Sequence, residues 1–329
     1  MRHDGNRWPG AGAWGCEYCI GNLTLSVARR PLAEDLLLPA SQRFPALRTP
    51  AGQPTDALVE SPVIDTHCHL TFPDFAGRTE QVLAAAGKAG VTGAICIATG
   101  EHDAAEVMAL AHKHARVWHS SGVHPCYTHL PHDLAEIARC ASSTKCVAWG
   151  ELGLDRAHAK PDFTLQIPVL HAQLQLVAAM PHGDLRARLP IVLHCREAFA
   201  DLLPILKQSG IDGSRFVLHC FTGSPAEMDQ ILQAGFMASF TGVCTYKNAA
   251  ALREAIALCP VERMMVETDA PYLSPEPVRG MRPCEPAFVA HTARKLAELK
   301  QMPFEDFHTT INANTQRFFN LPVDAFSPR

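Results

Sequence analysis

No stretch of the chain approaches the roughly 18 consecutive apolar residues of a membrane-crossing helix, so no part of it reads as a membrane span. An excess of positive charge is also missing. Lys and Arg total 29 against 33 Asp and Glu, giving a net charge of -4 and a pI near 6.5. A protein that grips nucleic acid through many phosphate contacts carries a basic footprint, and none is present here. Any phosphate chemistry has to be local, at a built site. Disorder and low complexity are excluded by composition, which is 47% hydrophobic and 19% charged. Twelve cysteines in 329 residues do not make a disulfide scaffold. Cys96, Cys146, Cys195 and Cys220 sit in apolar, strand-like runs, where a thiol behaves as a small buried hydrophobe. That usage favours a reducing, cytoplasmic setting.

Residues 1–60 differ from the rest. They are rich in Pro, Ala, Gly and Arg, show no sustained period of 3.6 or 2, and read as a loosely ordered N-terminal extension. Their short apolar patch, Ala33 to Leu38, contains Glu34 and Asp35 and lacks the cleavage pattern of a secretory signal. Cys16-Glu17-Tyr18-Cys19 has no second pair at metal-binding spacing.

From residue 61 to 329 apolar runs alternate with helical stretches. The candidate strands are Val63 to His69, Val91 to Ala98, Val117 to Pro125, Cys146 to Asp155, Pro190 to Arg196, Arg215 to Cys220, Phe236 to Gly242 and Met264 to Pro271. Their near-continuous hydrophobicity is that of parallel strands covered on both faces. Eight strand-helix units over about 260 residues predict a (β/α)8 TIM barrel. Ser224-Pro225-Ala226-Glu227 predicts a capped helix start, with Gly235 as its C-cap. Pro181 to Arg188 reads as an exposed insertion, and Glu285 to Leu321 as two or three closing helices, one starting at Pro303.

In such barrels reacting groups stand at the C-terminal strand ends. The acids and histidines found there are Asp65, His67 and His69, then Glu151, His194, His219 and Asp269. Asp65, His67 and His69 alternate along one strand, so their side chains project to one face, and two imidazoles with a carboxylate are metal-ligand chemistry. Cys68, Cys195 and Cys220, each one residue from a histidine, are expected on the opposite face as packing. A carboxylate at Asp269 can take the proton of an attacking water. His124, in Gly122-Val123-His124-Pro125, and Arg196 are weaker candidates for contact with substrate.

Six segments make the chain recognisable: Ile64-Asp65-Thr66-His67-Cys68-His69, Gly122-Val123-His124-Pro125, Gly150-Glu151-Leu152-Gly153-Leu154-Asp155, Leu193-His194-Cys195-Arg196-Glu197-Ala198, Leu218-His219-Cys220-Phe221-Thr222-Gly223 and Glu267-Thr268-Asp269-Ala270-Pro271-Tyr272-Leu273. From about Val63 to Leu321 the chain resembles the TatD family of metal-dependent hydrolases, within the amidohydrolase superfamily. The resemblance implies two divalent ions, magnesium, manganese or zinc. His67, His69 and Asp269 would hold one, His194 and His219 the other, and Glu151 would bridge them. It further implies a deoxyribonuclease acting at DNA ends, single-stranded or 3′. Because fold and metals do not fix substrate, another ester or amide, of a small molecule or an aminoacyl-tRNA, is the alternative. A non-catalytic metal-binding scaffold fits the intact ligand set poorly. The family's Arg-Gly-x-Arg-Asn-Glu-Pro run appears here as Arg279-Gly280-Met281-Arg282-Pro283-Cys284-Glu285-Pro286, with Cys284 where asparagine is usual and Pro283 inserted.

Overall fold

Strands buried on both faces need an apolar layer inside and helices outside, and the eight runs obtain both. In the computed structural model, which describes residues 62–181 and 183–326, they form β1 (Val63–Cys68), β2 (Val91–Cys96), β3 (Val117–Ser121), β4 (Cys146–Asp155), β5 (Ile191–Arg196), β6 (Phe216–Leu218), β7 (Met237–Phe240) and β8 (Met264–Val266). They pair in parallel, in chain order, as one eight-stranded sheet. Backbone bonds from His69 N to the Ala270 carbonyl (2.8 Å) and from Asp269 N to the His67 carbonyl (2.9 Å) bring its first and last strands together. The barrel is nearly closed, as the alternation of runs predicts.

Between and after the strands lie α1 (Thr79–Lys88), α2 (Glu101–Lys113), α3 (Leu134–Ala141), α4 (Phe163–Ala178), α5 (Phe199–Gln208), α6 (Pro225–Gln233), α7 (Ala250–Leu258), α8 (Val289–Leu299) and α9 (Phe304–Phe319). The start of α6 carries the expected capping box, with the Ser224 and Glu227 side chains satisfying each other's backbone N–H groups. Gly235 follows it at φ +86°. Pro303 stands at the N-cap of α9. The stretch read as an exposed insertion is tied down more than expected: the Trp149 indole donates to the Arg186 carbonyl (3.0 Å), and the Arg186 guanidinium donates to the Ala138 carbonyl (3.1 Å). None of the described helices is long and apolar enough to cross a membrane. The reading of residues 1–60, with the Cys16 and Cys19 pair, lies outside the described residues.

A cluster of buried apolar side chains that includes Val192 on β5, Val217 on β6 and Met265 on β8 takes in Phe319, Leu321 and Ala325 from the C-terminal segment. Each of those three strand residues stands two positions before His194, His219 or Glu267, hence on the same strand face. An apolar layer thus lies one step below a polar one.

Buried imidazoles away from the rim add to the acid sensitivity of this fold. His119 on β3 donates from Nδ1 to the Ser120 carbonyl (2.9 Å), and its Nε2 has no partner among the described residues. Burial pushes His119 and His308 down to about 4. A histidine depressed in this way adds stability that is full above its unfolded value near 6.5 and is lost as pH falls toward 4. Each should therefore cost about 2 kcal/mol between pH 7 and pH 5. Chemical denaturation across that range is expected to show the decline, and His119→Gln a shallower slope; an unchanged slope would reject the assignment.

Candidate metal centre

β4 runs into the rim through Gly150-Glu151-Leu152-Gly153, and its glycines allow an approach that other residues would block. Gly153 has φ +146°, and a Cβ there would stand 1.9 Å from the His194 carbonyl oxygen. Gly153→Ala is expected to destabilise the protein by at least about 3 kcal/mol, read as a fall in melting temperature; a variant as stable as the parent would refute the close β4–β5 contact.

The approach delivers Glu151 between two groups of imidazoles. Its Oε2 lies 3.2 Å from His67 Nε2 and 4.0 Å from His69 Nε2. Asp269 Oδ1 completes that side, 3.7 Å from His67 Nε2 and 3.5 Å from His69 Nε2. The other oxygen, Oε1, lies 2.7 Å from His219 Nε2 and 2.9 Å from His194 Nδ1. A single carboxylate, 1% exposed, therefore faces two donor groups with different oxygens.

These donors fit a cation. Nitrogen and oxygen ligands about 2.1 Å from a tetrahedral ion stand roughly 3.4 Å apart, close to the separations around Oε2. The hydrogen-bond roles point the same way. His69 Nδ1 is 3.2 Å from the Ile97 carbonyl, which can only accept; its Nε2 then carries a lone pair toward Asp269 and Glu151. His194 Nε2 is 2.9 Å from Asp155 Oδ2, which leaves Nδ1 turned on Glu151. Lone pairs facing carboxylate oxygens in a buried volume require either protons or a metal ion between them. The acid-base balance reflects this competition. Burial opposes charge on Glu151, yet His219, His124 and His67 hold it well below the usual carboxylate range. The same carboxylate, against burial, lifts His219 well above its ordinary value. A metal ion would take the place of those protons.

All six residues expected as ligands, His67, His69, Glu151, His194, His219 and Asp269, are brought together. Asp65 is not. Its carboxyl group accepts from Thr268 N (2.9 Å), from the Thr268 hydroxyl and from His67 N (3.3 Å), so it latches β1 to the segment after β8. Burial, against those bonds, pushes it up to about 8. Strand alternation placed it on the correct face, but backbone donors claim it first.

His124 enters as a donor. Cys126 N donates to its Nδ1 (3.0 Å), so the ring proton of the neutral form sits on Nε2, 3.2 Å from His194 Nδ1 and 3.4 Å from Glu151 Oε1. Burial keeps it neutral by pushing it down to about 4. Arg196 ends β5 in register with Asp155, two residues beyond His194. Two supporting acids were missed: Asp155, against His194, and Glu267, whose Oε1 is 3.4 Å from His219 Nδ1 and also accepts from Cys220 N. Each lies at an even spacing from a candidate on its own segment, Glu151 or Asp269, which is the signal that would have found it. Cys68, Cys195 and Cys220 belong to none of the donor groups. Cys284 is fully buried, and its N donates to the Pro271 carbonyl (2.9 Å), so the departure from the family's loop pattern fills a packing position.

A barrel whose rim gathers imidazoles and carboxylates in this way is that of a metal-dependent hydrolase. A family model described as TatD related DNase matches residues 64–320. The chain is 33% identical over 268 residues to the 3′-5′ ssDNA/RNA exonuclease TatD of Erwinia amylovora, covering 79% of this chain and 100% of that one. It is 31% identical over 261 residues to the uncharacterized metal-dependent hydrolase YabD of Bacillus subtilis, covering 79% and 99%. Among solved structures, a TatD homologue from Escherichia coli K12, YJJV, superposes with a TM-score of 0.72 at 33% identity, covering 79% and 98%. The chain belongs to the TatD family.

Proposed function

We propose that this hydrolase is a deoxyribonuclease that removes nucleotides from the 3′ ends of single-stranded DNA. Glu151 carries the reading, since one buried carboxylate has an oxygen turned to each of two donor groups. His67, His69 and Asp269 would hold one divalent ion and His194 and His219 another, with Glu151 shared between them. Magnesium, manganese and zinc all suit such oxygen and nitrogen donors. Bound there, the ions would supply Lewis-acid polarisation of a phosphoryl oxygen and a more acidic water.

The chain's own residues do the rest. Asp269 lies against His69 and is held below its ordinary value, although burial opposes this; as a carboxylate it accepts the proton of the attacking water. His124 presents an N–H toward the centre and can donate to a phosphate oxygen. Arg196, two residues beyond His194 on the same strand, would pair with a further phosphate through its guanidinium. Asp155 orients His194 through its hydrogen bond, and Glu267 stands 3.4 Å from His219 Nδ1, where its charge favours that ring. The substrate class is supported by the exonuclease relatives, and the net charge of -4 fits a strand end reaching a rim better than a gripped duplex. Residues 61–329 form the hydrolase unit in this reading and residues 1–60 an extension. The ten described cysteines are all free, in keeping with a reducing cytoplasm.

End-labelled single-stranded DNA incubated with the protein and magnesium or manganese should shorten from its 3′ end, and a chelator should stop the shortening. Labelled DNA left intact under every divalent ion would shift the assignment to another ester or amide.

A further inference from the structure

Beside the rim, on the far side of His194, lies a second group of ligand atoms with different chemistry. Cys126 Sγ, from the turn after β3, is 3.8 Å from Asp155 Oδ2 and 3.7 Å from His158 Nδ1. His158 Nδ1 is 2.8 Å from the same carboxylate oxygen, and His158 N donates to Asp155 Oδ1 (2.9 Å), which fixes the carboxylate plane. We propose that Cys126, Asp155 and His158 form a separate site for a thiophilic divalent cation, of the zinc, cobalt or cadmium class.

Three arguments carry it. Thiolate sulfur and imidazole or carboxylate atoms around a tetrahedral zinc stand roughly 3.6 Å apart, which the two sulfur distances match; only the Nδ1–Oδ2 pair has to open, by about half an ångström. The donor set of one thiolate, one imidazole and one carboxylate neutralises a divalent ion and selects against magnesium, whereas the centre around Glu151 offers only nitrogen and oxygen. The site also has an entrance, because the His158 side chain is 32% exposed while Asp155 is fully buried. Binding releases one proton, from the Cys126 thiol. His158 moves its ring proton from Nδ1 to Nε2, and Asp155 enters as the carboxylate it already is.

Asp155 Oδ2 also accepts the Nε2–H of His194 at 2.9 Å. An ion on that oxygen competes for the same lone pairs, loosens His194 and so slows the hydrolase; this consequence rests on the function proposed above, and the binding itself does not.

The full-length protein, loaded with manganese, is titrated with cobalt(II) chloride in parallel with Cys126→Ser and with His158→Ala, whose replaced ring is partly exposed. The difference spectrum between the parent and Cys126→Ser should show thiolate-to-cobalt charge-transfer absorption, weakened when His158→Ala replaces the parent. A flat difference spectrum overturns the site. Zinc should then inhibit DNA shortening by the manganese-loaded parent at concentrations that leave Cys126→Ser active; displacement of manganese from the centre affects both proteins equally and cancels. Equal zinc sensitivity overturns the link to His194. If no protein shortens DNA, the nuclease reading fails, and the cobalt difference spectrum still decides the site.

Discussion

Glu151→Ala is expected to abolish hydrolysis, by on the order of 10³-fold or more, and to deplete both donor groups of metal together. The reason is geometric. Oε2 stands 3.2 Å from His67 Nε2 and Oε1 2.7 Å from His219 Nε2, so truncation removes a ligand from each side at once. His194→Ala, by contrast, should empty one side and spare the other, because its Nδ1 lies against Oε1, 2.9 Å away, on the side away from His67 and His69. Elemental analysis of the two variants beside the parent separates these outcomes. Equal metal content in the parent and Glu151→Ala would mean that the carboxylate is not shared.

The second large effect is at Asp269. Exchange for asparagine keeps an oxygen near His67 and His69 but removes the basic carboxylate, and general-base catalysis typically contributes about 10²- to 10⁴-fold. Asp269→Asn should therefore lose activity in that range while its metal content falls much less. A variant that loses metal and rate in proportion would show Asp269 to be a ligand alone.

Much of the barrel could be read in the sequence because burial on both faces leaves a simple trace. Each strand, from Val63–Cys68 to Met264–Val266, falls inside a predicted apolar run. The convergence of the candidate residues was legible for a related reason, since the architecture sends strand ends to one rim and the acids and histidines there were few. Asp65 shows where alternation stops being informative: it gives the face of a side chain, not its competitors, and Thr268 lies 203 residues away. Even spacing from Glu151 and Asp269 puts Asp155 and Glu267 on the same faces, but the imidazoles they meet, His194 and His219, come from other segments. For His124 the sequence suggested contact with substrate but not its donor character, which depends on the Cys126 N–H behind the ring. The cluster of Cys126 and His158 against Asp155 was illegible, because it joins the turn after β3 to the segment after β4.

The most direct test of the shared carboxylate is elemental analysis of the purified protein after saturation with manganese and desalting, beside Glu151→Ala treated identically. A pair of tightly held ions in the parent and less than one in the variant is the expected result. A parent that retains no divalent ion, or a variant that retains as much as the parent, would contradict it.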